Sequence, residues 1–397
     1  MTHGMGPPGS GGRRVRSAAA RQQARRRTRD TLLGAIGATL ISLVFVVSFI
    51  GALHAPGPRS LPVGVAGTAA EAARLGTGLA RVRPGGYVVT RYPTAAAARS
   101  AILTRGVDAA LVPGPARQLL LVATATSQAT TTATVKDVQA ATRGTGLPLA
   151  VQDIRPLPPG DPQGLSQVFF VTALLAPSLL FGNMLVNRFG KAMRPIGQII
   201  SSAVYAAIVA AVATAIADPA IGALTGAPWG LFGVGTLLAF AATVAIAAAA
   251  RWGRGLGYAV IFLLFVPVGI ASSGTTLGPH MITPWYADLG RALPAGSALP
   301  AVQNTVYFSG NAITGPLLVL SGWALAGLVA LALAGIFHPP CPAARSRSLT
   351  SPRAPELPAA RRASPRAPGA DHPGCPANSP DARPSPPVMA GASAPSC

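Results

Sequence analysis

Six stretches of this chain are long and apolar enough to cross a bilayer, and no charged residue interrupts any of them. They are Thr31–Leu53, Ser166–Val186, Ile196–Ala217, Trp229–Ala250, Leu256–Ser273 and Thr314–Phe337. A hydrocarbon core about 30 Å thick takes roughly 20 such residues. Inside it every peptide N–H and C=O needs a partner from the protein itself, so each stretch is constrained to be helical. The first and last are rich in Leu, Val, Ile and Phe. The third and fourth are rich in Ala, which drives insertion weakly, and they qualify because no charge interrupts them. The fifth is short and holds Pro267, which a membrane helix accommodates as a kink. The first is too long for the apolar region of a cleaved signal peptide, and no clean small-residue cleavage pattern precedes His54. It is expected to be a retained anchor.

Composition agrees. Only 11% of residues are charged and 50% are hydrophobic, against about 25% charged in soluble domains. Lys+Arg number 32 against 11 Asp+Glu, a formal charge of +21. An ordinary water-soluble enzyme is excluded. The Arg cluster at the two termini and in short gaps between apolar runs, with no helix-turn-helix, zinc-finger or RNP pattern, so no nucleic-acid partner is expected. Alanine, glycine, proline and arginine dominate as they do in proteins encoded by GC-rich DNA.

The same Arg set the expected orientation. Arg13, Arg14, Arg16, Arg21, Arg25, Arg26, Arg27 and Arg29 precede the first span. Arg188, Lys191 and Arg194 lie between the second and third, Arg251 and Arg254 between the fourth and fifth, and Arg345 and Arg347 after the sixth. The gap after the third span holds no cation, only Asp218, and the gap after the fifth holds Arg291 as its one Lys or Arg. The positive-inside rule then places both termini in the cytoplasm of a multi-pass plasma-membrane protein. It divides the chain into a basic segment 1–30, a first helix 31–53, an extracytoplasmic domain 54–165, a five-helix membrane domain 166–337 and a Pro/Ala/Arg-rich tail 338–397. The tail has no apolar periodicity and is expected to be disordered.

Within the extracytoplasmic segment the pattern predicts alternating strands and helices. Strands fall at Leu61–Gly67, Tyr87–Tyr92, Val107–Val112, Gln118–Thr126 and Leu147–Ile154. Thr68 and Glu71 have capping-box spacing, Thr94 caps a helix ending near Gly106, and a further helix runs to Arg143 with Gly144 closing it. The fold class is therefore an α-helical polytopic membrane protein of six transmembrane helices, with an α/β domain inserted between the first and second. No catalytic, cofactor-binding or metal-binding residue is assigned. The acids Glu71, Asp108, Asp137, Asp153 and Asp161 are scattered, and the hydroxyls from Ser127 to Thr134 have no nearby base and read as a polar helix face. Enzyme activity is not expected.

The order of one basic-anchored span, an α/β insertion and five further spans resembles the ABC-2-type transporter permeases, in the branch with a large extracytoplasmic domain that includes phage-infection-protein-like proteins. The likeness is carried by Gly106-Val-Asp-Ala-Ala-Leu-Val-Pro113, by Leu157-Pro-Pro-Gly-Asp-Pro-Gln-Gly164 before the second span, and by Leu293-Pro-Ala-Gly-Ser297 with Gln303-Asn-Thr-Val-Tyr-Phe-Ser-Gly310 before the last. The resemblance implies an exporter of a lipid, peptide or drug-like substrate, and short re-entrant helices around Pro294, Gly296 and Pro300. It also implies a homodimer or pairing with a similar permease, through small residues such as Ala206, Ala210, Gly233 and Ala241.

A permease needs an energy source. Gly190-Lys191 is the only Gly-Lys pair and lacks the rest of a P-loop, so ATP is expected on a separate ABC ATPase subunit. No acid lies within a span, which disfavours proton coupling. Docking of that ATPase is expected at Arg188, Phe189, Lys191, Met193 and Arg194, where two apolar side chains interrupt a basic cytoplasmic loop; Arg13–Arg29 is a second contact or a lipid anchor. Asn183 and Gln198 are expected to bond between helices, and Trp285, Tyr286, Tyr307 and Phe308 to be interfacial aromatics. The alternative function is a non-transport scaffold or receptor-like protein whose extracytoplasmic domain binds a partner.

Overall fold

A computed structural model describes residues 11–189 and 193–337. The chain divides into two compact units, Met1–Ala343 and Ala344–Cys397, and the described residues all belong to the first. The expected tail and Lys191 lie outside the described residues.

Among the described residues the fold is mostly helical, with six segments long and apolar enough to cross a membrane. The first, α1 (Gly11–Leu53), carries the basic segment and the first span as one unbroken helix of 43 residues. Its described surface is almost wholly exposed. Only near its C-terminal end does it pack, where Ala52 joins a cluster with Ala271, Ile282, Tyr286 and Ala287. A helix so thinly covered by protein needs lipid around its Leu, Val and Ile side chains, since water would penalise them.

Between α1 and the second span stands a five-stranded sheet. Its strands are β1 (Leu61–Ala66), β2 (Tyr87–Tyr92), β3 (Ala109–Val112), β4 (Gln118–Val122) and β5 (Leu149–Asp153), in spatial order β2-β1-β3-β4-β5. All neighbours are parallel except β3 and β4, which form an antiparallel pair with Leu111 opposite Leu120. Helices α2 (Ala69–Val82), α3 (Ala95–Leu103) and α4 (Gln128–Thr142) connect the strands. The α2 and α4 side covers one sheet face through Leu75, Leu79, Val138, Val63, Val65 and Leu120. Helix α3 covers the other with Ala98 and Ile102.

Local chemistry sets these boundaries. Thr68 accepts from the Glu71 backbone N–H while the Glu71 carboxylate accepts from the Thr68 N–H, a complete capping box. The same bonds hold the Glu71 carboxyl below its usual range. Thr94 caps α3 by accepting from the Ala97 N–H, and Ser127 caps α4. After α4 a single 3₁₀ turn follows, and the left-handed residue is Gly146 (φ 67°) rather than the expected Gly144. Asp161 starts the second span by accepting from the Leu165 and Ser166 N–H groups at 2.9 Å each.

The remaining helices form a bundle. They are α5 (Ser166–Phe189), α6 (Pro195–Ala215), α7 (Pro228–Leu263), the short α8 (Gly269–Ser272), α9 (Pro284–Arg291), α10 (Pro294–Tyr307) and α11 (Thr314–Phe337). The first arm of α7 is the axis, with α5, α6 and α11 around it. Close packing there depends on glycine. A Cβ at Gly182 of α5 would stand 2.5 Å from the Thr243 carbonyl of α7, and one at Gly327 of α11 would stand 2.8 Å from the Ala245 N. The core includes Leu174, Leu179, Leu231, Leu238 and Phe265, with Phe265 edge-on to Trp323.

Four expectations are corrected. The gap foreseen at Arg251 and Arg254 is no loop, because helical bonding runs through it. The chain nevertheless reverses: a Cβ at Gly257 would overlap the carbonyl of Ala249, which a straight helix sets about 12 Å away. The fourth and fifth spans are two arms of a bent α7, the second continuing through a π-helical turn at Leu264–Val268 into α8. Second, Ala206, Ala210 and Ala241 are fully buried inside the chain, so their close approach serves intramolecular packing; Gly233 alone of the four faces open space. Third, Asn183 accepts from Asn187 within α5, and the buried Gln198 amide has no partner among the described residues, so neither bonds across helices. Fourth, Tyr286 and Phe308 are buried; Trp285, at 69% exposed, keeps the interfacial character.

Candidate functional site

Two places gather chemistry, at opposite ends of the bundle. The first is the junction between the sheet domain and the segment from α8 to α11. Three grips hold it. Gly57 and Arg59 donate backbone N–H bonds to the carbonyls of Met281 and His280, and the Arg59 side chain adds a bond to Met281. Ser127 and Thr130, at the start of α4, donate to the Thr276 and Leu277 carbonyls at 2.7–2.9 Å. Gln303 of α10 donates to the carbonyls of Ala125 and Thr126 at 2.8 and 2.6 Å. The hydroxyls read from sequence as a polar helix face thus dock the domain. Nothing in their local pattern announces it, because their acceptors lie about 150 residues away.

Arg105 stands at the centre of this junction. It follows α3 in the left-handed region (φ 65°), where a non-glycine residue is uncommon. Its guanidinium donates to Thr126 Oγ1 at 2.6 Å and to Gln303 Oε1 at 3.5 Å, lies over the Phe308 ring, and stands 3.6 Å from the Asp108 carboxylate. The side chain is 16% exposed. Burial pushes its pKa below the ordinary arginine value, with the Asp108 charge pulling the other way.

A cavity of about 210 Å³ opens beside it. Arg105, Asp108 and Thr126 line it from the sheet domain; Gln167, His280 and Gln303 line it from the bundle. Gln167 belongs to the first turn of α5 and is 6% exposed, yet its Oε1 has no hydrogen-bond partner among the described residues. Glycines shape the floor. A Cβ at Gly290 or Gly296 would overlap a backbone carbonyl, of Ser272 and Gly290 respectively, so α8, α9 and α10 touch main chain to main chain. Pro294, Gly296 and Pro300 all fall in α10, which is buried from Pro294 through Leu299 and again from Ala301 through Thr305.

The second place is the connection between α5 and α6. Arg188 and Phe189 end α5, both exposed, with Phe189 at 46%. The Met193 N–H donates to the Phe189 carbonyl at 2.9 Å. Met193 is half-buried against Gly197, and Arg194 is exposed at the N-cap of α6 with Pro195 following. Four of the five residues expected here are thus brought together; Lys191 lies outside the described residues. At the same end Trp252 donates from its indole to the Ala330 carbonyl at 2.9 Å, and its ring meets that of Phe337.

Among the described residues no group of three His, Cys, Asp or Glu is placed to share a metal ion. No protein-family model, curated protein or solved structure matches the chain.

Proposed function

We propose that the chain is the membrane permease subunit of an exporter whose ATP is hydrolysed by a separate subunit, with both termini and the Arg188–Arg194 connection in the cytoplasm. The observation that carries this reading is the exposed Phe189 flanked by Arg188 and Arg194 at the bundle end remote from the sheet domain. Arginines at that level fit an anionic lipid surface on their own. A large aromatic side chain set among them fits a protein surface better, since interface cores favour aromatic residues and Arg together. The long α1 extends the same end with Arg25, Arg26, Arg27 and Arg29, all exposed. The resemblance to ABC-2-type permeases supplies the identity of the partner. A homodimer, or pairing with a similar permease, completes the reading; of the small residues first assigned to it, only Gly233 remains open to a second chain.

Purification of the tagged full chain from its native membranes, with and without Phe189→Ser and Met193→Ser, tests the reading. An ATPase subunit should accompany the native chain and be lost from the double variant while membrane insertion persists. A chain that purifies with no ATPase, and moves no lipid, peptide or drug in the presence of ATP, would contradict it.

A second reading, a scaffold whose sheet domain binds a partner, draws on the two edge strands. β2 and β5 expose Val88 at 51% and Val151 at 47%, and an open edge is a template for an added strand.

A further inference from the structure

We infer that the cavity beside Arg105 is a binding site for a small organic anion that also carries hydroxyl groups, such as a hydroxylated phosphate or carboxylate. The inference rests on the cavity alone and is independent of ATP-driven export. Three side chains lining it have unmet hydrogen-bonding capacity of complementary kinds. Arg105 has five N–H donors, of which the bonds to Thr126 and Gln303 use two. Asp108 stands 3.6 Å from Arg105, too far for a hydrogen bond, and its carboxylate accepts no other bond among the described residues. Gln167 is buried with Oε1 unpartnered. Buried polar groups are nearly always satisfied, and each exception needs an explanation.

One kind of occupant meets all three needs. An anionic group takes the remaining Arg105 donors in the bidentate fashion that guanidinium favours for phosphate and carboxylate. Hydroxyl groups on the same molecule donate to Gln167 Oε1 and Asp108. The volume, about 210 Å³, suits a short carbon skeleton with its anionic group. Arg291, paired with Asp288 at 2.6 Å, also lines the cavity, and among the described residues Asp108 is the one acidic side chain that does. Such a group is presented equally by a free solute and by a glycerol-based lipid headgroup.

Binding is measured on the full chain in nanodiscs. Equilibrium dialysis with labelled glycerol 3-phosphate and with glycerate tests the soluble source. Native mass spectrometry of the chain taken from phosphatidylglycerol-containing and phosphatidylcholine-only discs tests the headgroup source. Saturable binding of at least one probe is expected, weakened about tenfold by Gln167→Leu. That variant should unfold at the same or a higher temperature, because it removes a buried acceptor that lacks a protein partner. Arg105→Lys, which keeps the charge but loses the planar fork, should weaken binding as well. Selective retention of phosphatidylglycerol would assign the site to a lipid; binding of the soluble probes alone would assign it to a solute. No saturable binding of any probe, or equal binding by native chain and both variants, would overturn the proposal.

Discussion

The guanidinium carbon of Arg105 lies 4.8 Å from the centre of the Phe308 ring. One residue belongs to the sheet domain and the other to the loop that leads into α11, so this contact joins the two layers of the molecule. Phe308 is 1% exposed and packs against Ala98, Ile102 and Val107 on one side of the sheet. Removing the ring takes away both a buried aromatic surface and the π-face under a desolvated cation. Phe308→Ala should destabilise the junction by about 3 kcal/mol. Hydrogen exchange should accelerate in α3 and β3 first, while the amides of α7 keep their protection. Uniform acceleration across the chain would show that the two layers unfold together and that the contact has no special place.

A second buried polar centre lies within the sheet domain. Asp137 accepts from Arg83 Nε and from the Tyr87 hydroxyl, each at 2.8 Å. Arg83 is 42% exposed and regains water if its partner is lost. Asp137→Ala should therefore cost about 2 kcal/mol, chiefly from the stranded Tyr87 hydroxyl, rather than the larger loss of a fully buried ion pair. Denaturant unfolding of the sheet domain, followed by far-UV circular dichroism in detergent, measures it.

The same group gives a pH prediction. Burial first, then the bond to Asp137 and its charge, raise the Tyr87 pKa above the ordinary value of 10.0. A raised folded pKa contributes stability that is fully present below the unfolded pKa and is lost as pH rises toward the folded one. The Tyr87 contribution should be constant across neutral pH and decline only above about 10. Absorbance at 295 nm should show more than one tyrosine ionising later than the exposed class, Tyr286 and Tyr307 among them, and the amplitude of that late component should fall by one tyrosine in Tyr87→Phe. A Tyr87 that titrates with the exposed class would refute the assignment.

Gly182 marks the tightest crossing of α5 and α7. Its neighbours there include the Thr243 main-chain carbonyl, which cannot rotate aside as a side chain would. Gly182→Ala should force the helices apart and lower stability by about 1–3 kcal/mol. Gly233→Ala, with open space around it, should leave the isolated chain unchanged. Thermal unfolding in one detergent compares the two directly, and an equal effect of both would contradict the packing described.

What the sequence made legible was whatever local chemistry determines. Thr68, Glu71 and Thr94 cap helices through bonds three residues long, and the six spans follow from hydrophobicity alone, so both could be read without the structure. What escaped was set by distance along the chain. The fates of Ser127, Thr130 and Phe308 depend on partners that no local pattern names. The reversal of α7 near Arg251 was read as a loop because two basic residues interrupt an apolar run. The glycine that permits it, Gly257, looks like a linker residue in the sequence. Of the expected docking surface, Phe189 and Met193 stood out in the sequence as apolar residues inside a short basic loop. The cavity did not: its lining comes from β1, α4, α5, α8, α9 and α10 and from the loops between them.

Site-specific photocrosslinking from position 189 in native membranes tests the central proposal most directly, with position 88 on the β2 edge as the comparison. A crosslinker at 189 should join the chain to a polypeptide that binds ATP, and the adduct should disappear when Met193 is changed to Ser. The same crosslinker at 88 should never reach that polypeptide, because the membrane separates the two. Lipid adducts alone at 189, or the same ATP-binding polypeptide captured from 88, would contradict the account.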